Sequence, residues 1–186
     1  RAGAAYPLSD RSFAVVTLAQ DLSGWTIGAY DGDSGAELWA ADSESNPGPV
    51  AGSRFLAAQS DAGLTVFDAA TRTARLVPDS DYFSWTIEGD RLIGARGNQD
   101  SATLDAVRLH DGGATAGWSQ QIGSLPYLIC IAPASDIIYL LRWANDAVTL
   151  ERRSGADGSL LDALTPEEST LLRDGKLRPV LDYSCD

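Results

Sequence analysis

Residues that build catalytic and metal sites are scarce in this sequence. It contains one histidine and two cysteines among 186 residues, which excludes a cluster of histidine ligands and leaves His110 as the sole candidate base of a Ser-His-Asp triad. The sequence contains neither a Gly-x-Ser-x-Gly nucleophile elbow nor a phosphate-binding glycine loop. We therefore expect a protein that is not an enzyme and that holds no metal and no cofactor.

Long apolar runs and basic residues are also scarce. No uninterrupted apolar run approaches the ~20 residues of a membrane-spanning helix, so we predict no direct membrane insertion of this chain. Lys and Arg total 14 against 26 Asp and Glu, and the resulting formal net charge of −12 repels the phosphates of nucleic acids. A solvated acidic surface is typical of many secreted proteins. We predict that nucleic acid is not a partner.

Methionine and glycosylation sequons are absent. The chain begins with Arg1 rather than methionine, so we expect the translation start to lie upstream. A removed signal peptide, a processed precursor and a cloning boundary each explain this, and the first fits a periplasmic, secreted or lumenal location. We predict an extracytoplasmic protein, although no Asn-x-Ser/Thr sequon supports a eukaryotic secretory route.

The two cysteines leave two interpretations open. Cys130 lies within the apolar run 127–132, and Cys185 lies beside the C-terminus. Their separation of 55 residues permits a disulfide without implying one. Either Cys130 and Cys185 form a bridge, or Cys130 is a small buried hydrophobic residue.

Glycine and aspartate, in contrast, recur with a period. Residues 29–39 read Ala-Tyr-Asp-Gly-Asp-Ser-Gly-Ala-Glu-Leu-Trp, which predicts a strand, a tight turn and a return strand. Weaker copies follow, and the four turns begin at Asp31, Asp68, His110 and Ser154, at spacings of 37, 42 and 44 residues. An aspartate there accepts hydrogen bonds from the following amides, and a later glycine supplies the positive φ of the turn. This interval is typical of β-propeller blades.

The strand pattern therefore predicts an all-β fold, a β-propeller of about four antiparallel meander blades. The predicted repeats span approximately residues 10–47, 52–80, 82–124 and 127–164. They form either a small closed propeller or part of a larger ring, because a propeller that stops halfway exposes a sheet edge. A linear all-β stack is a further alternative. Residues 165–186 are predicted to form a short helix followed by a closing strand or the first strand of another blade.

A bulky residue after each turn is predicted to pack between neighbouring blades. Trp39 and Trp118 occupy this position in the first and third copies, and Leu76 lies close to it in the second. The fourth copy keeps an Asp-Gly turn at Gly158 but has leucine in place of the aromatic residue.

The first copy resembles the tryptophan-docking repeat of the quinoprotein-like (pyrroloquinoline-quinone-like) β-propeller superfamily, with the consensus Ala-x-Asp-x-x-Thr-Gly-x-x-x-Trp. Ala29, Asp31, Gly35 and Trp39 match it, and Ser34 replaces the threonine. In that family the motif joins adjacent blades and is not a catalytic signature. The resemblance implies a structural role for the motif residues, which are Ala29, Asp31, Ser34, Gly35, Trp39, Asp68, Trp118 and Gly158.

The same resemblance implies a non-catalytic member. Quinone-dependent dehydrogenases of this superfamily generally have two adjacent cysteines against the cofactor, together with acidic and asparagine ligands for calcium. Neither Cys130 nor Cys185 has a cysteine neighbour.

The remaining polar and aromatic residues have the following expected roles. The segment 31–37 is rich in carboxylates but lacks the glutamate at the twelfth position of a calcium loop, so a capped turn explains it without metal. His110 is expected in a solvent-facing turn. Trp25 and Trp85 are expected in the core, whereas polar neighbours make Trp143 a candidate binding surface.

These observations favour a non-enzymatic propeller scaffold that mediates protein–protein interaction within an extracytoplasmic complex. The quinoprotein-like subunits of outer-membrane assembly machinery and of endoplasmic-reticulum membrane complexes are comparable. The alternative is a propeller that binds carbohydrate or another small ligand, or a fragment of a quinone-dependent dehydrogenase.

Overall fold

The structure is a computed structural model that describes residues 3–19, 23–44, 52–111, 113–132, 134–144 and 147–163. Every helix or strand in these ranges is a β-strand, and the strands form four antiparallel sheets. The predicted all-β fold is therefore confirmed. The predicted C-terminal helix and closing strand, together with Cys185, lie outside the described residues.

Each sheet is a meander whose strands follow one another in chain order. Sheet 1 consists of β1 Gly3–Pro7, β2 Ser12–Leu18, β3 Trp25–Asp31 and β4 Glu37–Ser43. Sheet 2 consists of β5 Phe55–Ser60, β6 Gly63–Asp68 and β7 Thr73–Leu76. Sheet 3 consists of β8 Ser84–Glu88, β9 Arg91–Gly97, β10 Ala102–His110 and β11 Gly113–Gly123. Sheet 4 consists of β12 Leu128–Ala132, β13 Ile137–Ala144, β14 Ala147–Ser154 and β15 Leu160–Ala163.

The sequence repeat has a direct structural counterpart. Asp31, Asp68, His110 and Ser154 are the last residues of β3, β6, β10 and β14, each of which is the next-to-last strand of its sheet. The four aligned positions therefore have the same place in four sheets. Sheet 1 also contains β1, a strand that lies before the predicted start of the first repeat and pairs with β2 from Gly3↔Thr17 to Pro7↔Phe13.

The described chain divides into two compact units. Unit 1 contains the described residues up to Tyr82, together with Gly89–Arg91 and Leu109–Thr115. Unit 2 contains Phe83–Glu88, Leu92–Arg108 and the described residues from Ala116 onward.

Each unit has its own apolar core, because alternate residues of its strands point inward. In unit 1 the core is formed by Leu8, Ala14, Val16, Ile27, Ala29, Leu56, Ala58, Phe67 and Ala69. In unit 2 it is formed by Ile93, Ala95, Ala102, Leu104, Ala106, Ile122, Ile129, Ile131, Ile138 and Leu140.

Candidate functional site

The turn after β3 is closed by both backbone and side-chain hydrogen bonds. The Asp31 amide donates to the Ala36 carbonyl at 2.9 Å, and the Gly35 amide donates to the Asp31 carbonyl at 2.8 Å. The Asp31 Oδ1 atom accepts from the amide and the hydroxyl of Ser34 at 2.9 and 2.8 Å. Gly35 has φ +70°, a left-handed conformation that favours glycine.

These contacts stabilise the ionised form of Asp31. The backbone amide of Ser34, its hydroxyl and the guanidinium of Arg72 lower the pKa of Asp31 from 3.8 to about 2. The Arg72 Nη2 atom lies 2.9 Å from the Asp31 Oδ2 atom. Arg72 follows β6, so this ion pair joins the turn of sheet 1 to the turn of sheet 2 within unit 1.

Trp39 lies between the first two sheets. It is opposite Ala29 in the register of β3 and β4, and its ring stacks on Phe67 of β6 with the centroids 5.4 Å apart and the planes 4° from parallel. Phe67 and Ala29 are fully buried. The tryptophan of the first copy thus packs on the neighbouring sheet.

The turn after β14 repeats the backbone of the turn after β3. The Ser154 amide donates to the Ser159 carbonyl at 2.9 Å, the Gly158 amide donates to the Ser154 carbonyl at 2.8 Å, and Gly158 has φ +75°. Asp157 accepts from the Ser159 amide at 3.0 Å, and this contact is the main cause of a lowered pKa for Asp157. Two distant copies of the repeat therefore fold into the same turn.

Trp118 of β11 docks on this second turn within unit 2. Its indole Nε1 atom donates to the Gly155 carbonyl at 3.0 Å. A Cβ atom at Gly158 would lie 2.5 Å from the Trp118 ring, closer than Cβ contacts in folded proteins allow. Glycine at this position therefore serves both the turn and the packing of the tryptophan.

The second copy keeps the aspartate but replaces the glycine. Asp68 accepts from the Ala70 amide at 3.0 Å and binds the Arg54 guanidinium through both carboxylate oxygens at 2.8 and 2.7 Å. Burial raises the pKa of Asp68, but these hydrogen bonds outweigh burial and lower it overall. Arg72 occupies the position equivalent to Gly35 and has φ +55°, which is strained for a residue with a side chain.

An open cleft of about 240 Å³ lies in unit 1 beside this ion pair. Its apolar wall includes Phe55 and Leu76, the latter 52% exposed rather than packed between sheets. Its polar wall includes Asp68, Asp111 and Arg75. The guanidinium of Arg54, which lies 4.9 Å above the Phe55 ring, also binds Asp111.

His110 lines the same cleft. It is exposed, and its Nε2 atom lies 2.9 Å from the Thr115 hydroxyl. The expected solvent-facing position is therefore observed, at the end of β10 directly before the turn to β11.

Two exposed aromatic side chains stand at equivalent positions in unit 2. Phe83 directly precedes β8 and is 67% exposed, and Tyr127 directly precedes β12 and is 75% exposed. The amide of Phe83 donates to the Ala95 carbonyl at 2.8 Å, and that of Tyr127 to the Leu141 carbonyl at 2.7 Å. Because β8 and β12 contact each other, the two positions belong to neighbouring strands. We call this pair the aromatic edge.

The remaining candidate residues are placed as follows. Trp143 lies near the end of β13, opposite Val148 in the register with β14, and its side chain lies outside the described part. Trp25 packs on the core of unit 1, whereas Trp85 is half-buried on β8. Cys130 is half-buried on β12, and its pairing with Cys185 stays a prediction.

Within the described ranges, the side chains of His, Cys, Asp and Glu form no group of three that could hold a metal ion. No helix in the described part of the chain is long and apolar enough to cross a membrane.

Solved structures with similar sheet arrangements reveal the fold type. Hydrazine synthase of Kuenenia stuttgartiensis matches with a TM-score of 0.54 at 11% identity, over 86% of this chain and 47% of that protein. TolB from Acinetobacter baumannii matches with a TM-score of 0.50 at 16% identity, over 87% of this chain and 43% of that protein. Both structures contain β-propellers. The fold is that of a β-propeller.

The propeller chain spans less than half the length of either of these structures. No protein-family model matches the sequence, and no curated protein matches it.

A buried ion cluster in sheet 4 of the propeller was not predicted from the sequence. Glu151 binds Arg153 at 2.9 Å and also binds Arg142. The Arg153 Nη1 atom donates to the Gly158 carbonyl at 2.9 Å. Desolvation lowers the pKa of both arginines. In the sequence, Glu151 and Arg153 have the pattern of a polar strand end. They are buried because β14 pairs with β13 on one side and β15 on the other.

The aromatic edge was also not predicted. Phe83 and Tyr127 read as the first residues of apolar strands, which are normally buried. The signal that could have identified them is their spacing of 44 residues, which equals the last interval of the turn repeat.

Proposed function

We propose that this propeller is a non-enzymatic scaffold that mediates protein–protein interaction within an extracytoplasmic complex, and that the aromatic edge is its contact surface. The proposal assigns no catalytic residue, no metal and no cofactor to the chain. The partner is a protein with an apolar pocket or groove that receives Phe83 and Tyr127.

The exposure of the two aromatic residues is the observation that carries the proposal. Aromatic side chains bury a large area for few rotatable bonds, and tyrosine and tryptophan are enriched among the residues that dominate binding energy. Both residues are held at the backbone by a hydrogen bond of their own amide. Their main chains are therefore ordered before binding, which reduces the entropic cost of association.

Binding to an isolated partner tests the proposal. The partner is captured from native extract with the whole chain, purified, and titrated with the wild type and with the double variant F83S/Y127S. We expect the double variant to lose at least ~30-fold in affinity, which corresponds to about 2 kcal/mol and is typical of a hot spot.

A leucine variant in the same unit is the control. Leu160 is 52% exposed on β15, and L160S removes a similar exposed apolar side chain away from the aromatic edge. We expect it to bind as the wild type does. Equal binding by F83S/Y127S and the wild type would contradict the assignment of the aromatic edge as the contact surface. If the whole chain captures no partner, its role as an interaction scaffold is contradicted.

The extracytoplasmic location has its own test. The acidic composition, with a net charge of −12, supports it. Fractionation of the source cells, followed by immunodetection of the chain, is expected to place it with periplasmic, lumenal or secreted markers. Recovery with cytoplasmic markers alone would contradict this part of the proposal.

The cleft of unit 1 supports a second candidate function, binding of a small ligand. Its lining combines apolar side chains with the charged residues Asp68 and Arg75. A thermal-shift screen against sugars, quinones and calcium checks it, with R75A as the cleft variant. Stabilisation of the wild type and not of R75A would favour this function, and no stabilisation by any compound would remove it.

A further inference from the structure

β7 is the outermost strand of sheet 2, and its side away from β6 pairs with no other strand of the described residues. All four residues of β7, Thr73–Leu76, are exposed. After β7 the chain turns toward β6, where the Ser80 hydroxyl accepts from the Leu64 amide at 2.7 Å and donates to the Val77 carbonyl. β7 therefore presents an open edge to solvent.

The register of β6 and β7 determines which main-chain groups lie at this edge. The Val77 amide donates to the Leu64 carbonyl at 2.9 Å, so Val77 and every second residue before it bond to β6. The amides and carbonyls of Ala74 and Leu76 therefore point away from β6. These two residues supply main-chain donors and acceptors to an incoming strand.

β7 is also more regular than two other outermost strands. β4 and β15 each pair with their neighbour through a register shift, and such irregularities disfavour pairing with a further chain. β6 and β7, in contrast, pair from Thr65↔Leu76 to Asp68↔Thr73 without a shift. An exposed and regular edge binds extended peptides by strand addition, in which main-chain hydrogen bonds supply affinity and side chains supply specificity.

Arg75 at the centre of β7 determines which strand is accepted. Two copies of β7 that pair through Ala74 and Leu76 would place Arg75 directly opposite its own counterpart, and like charges in that position are destabilising. An acidic residue of another protein in the same position gains a cross-strand ion pair instead. The neighbours of this acidic residue lie opposite Ala74 and Leu76, and the 52% exposed side chain of Leu76 favours an apolar residue there.

We propose that the open edge of β7 is a second docking site, which binds an extended segment of a partner protein with an acidic residue between two apolar ones. The acidic side chain lies on the face of the cleft, beside Arg75 and Thr73. Asp68 and Asp111, the carboxylates that line this cleft, both bind Arg54, which offsets part of their charge. The inference goes beyond the proposed function, because β7 belongs to unit 1 and the aromatic edge to unit 2.

NMR titration of the whole, isotope-labelled chain with a synthetic peptide tests this inference. The probe is the capped peptide Thr-Thr-Val-Glu-Val-Thr-Thr, which has one acidic residue between two valines. Because few hydrogen bonds support so short a peptide, we expect a dissociation constant of about 1 mM, with saturable shifts of the Ala74 and Leu76 amide signals. The same peptide methylated at both valine nitrogens should bind at least ~10-fold more weakly, since these nitrogens no longer donate to β7.

A charge exchange tests the role of Arg75. We expect a peptide with lysine in place of glutamate to bind the wild type roughly fivefold more weakly, and R75E to reverse this preference. R108E, at an exposed residue of β10, is the matched control and should keep the wild-type preference. F83S/Y127S should bind the peptide as the wild type does, which separates this site from the proposed function.

The amide spectrum of each variant confirms that it is folded. The inference would be overturned if the wild type showed no saturable shifts at β7 with ~5 mM peptide. Equal binding of the methylated and unmethylated peptides, or an unchanged preference in R75E, would overturn it as well.

Discussion

At the scale of single residues, Asp31 combines a turn with a contact between sheets. One carboxylate oxygen caps the turn through Ser34, and the other binds Arg72. A capped and paired aspartate is stabilised in its ionised form, which explains a pKa of about 2. The ionised carboxylate of this aspartate therefore has a structural role, both in its own turn and in the contact with sheet 2.

The protonation of Asp31 is directly measurable. Its pKa is lower in the folded than in the unfolded chain, so its contribution to stability is present above pH ~4 and is lost as the pH falls through about 2. We expect carboxyl carbon NMR titration to give a pKa near 2 for the wild type and a value closer to 3.8 for S34A. In D31N this contribution to the pH dependence should vanish. An ordinary pKa in the wild type would contradict the observed hydrogen bonds.

Arg72 shows a conflict between backbone strain and side-chain pairing. Its φ of +55° favours glycine, but glycine could not bind Asp31. R72A keeps the strain and loses the ion pair, whereas R72G loses both. We expect R72G to be about 1 kcal/mol more stable than R72A in urea unfolding, because only glycine adopts this conformation without cost. Equal stabilities of R72A and R72G would contradict backbone strain at Arg72.

Glu151 is the residue whose loss should cost most. It is buried between Arg142 and Arg153, and its replacement leaves two positive charges without their shared carboxylate. We expect E151Q to lower the free energy of unfolding by about 3–5 kcal/mol. The control is D162N, which breaks the exposed pair with Arg152 at 2.9 Å and should cost no more than about 1 kcal/mol. Similar losses in the two variants would contradict the burial of Glu151.

At the scale of elements, the two matching turns offer a natural comparison. Gly35 and Gly158 have φ values of +70° and +75°, but a Cβ atom would meet open space at Gly35 and the Trp118 ring at Gly158. We expect G35A to cost about 1 kcal/mol for the strained backbone. G158A should cost about 2–4 kcal/mol, because Trp118 must also move. Thermal or urea unfolding checks both, and equal costs would show that Trp118 does not dock on this turn.

Strands were predictable where sequence pattern and turn chemistry agreed. The strand, tight turn and return strand predicted over residues 29–39 correspond to the end of β3, the turn after Asp31 and the start of β4. β1 was missed because Gly-Ala-Ala-Tyr-Pro has low strand propensity and no turn signal, so that only pairing with β2 defines it.

Candidate sites were less predictable than strands. The repeat identified the residues that form turns, since their chemistry is local. The aromatic edge depends instead on which strand-initial residues remain uncovered, and the Glu151 cluster depends on pairing between strands. Neither property is encoded within a few residues of the chain.

At the scale of the whole molecule, the repeat period predicted the propeller and left the function open. Four turns at similar intervals require four similar sheets, and the structure contains them. The acidic net charge predicted partners that are not nucleic acids. The proposed contact surfaces, in contrast, depend on exposure, which only the three-dimensional arrangement of the sheets determines.

The divergence of the turns has a consequence for folding fidelity. Identical repeats can dock on the wrong neighbour or exchange between chains. Here the first turn is joined to the second by Asp31 and Arg72, whereas the fourth turn is joined to β11 by Trp118. These two junctions therefore use different pairs of chemical groups, and a sheet that docks on the wrong neighbour loses its own pair. We infer that the drift that obscures the repeat in the sequence favours correct docking of these sheets over incorrect docking.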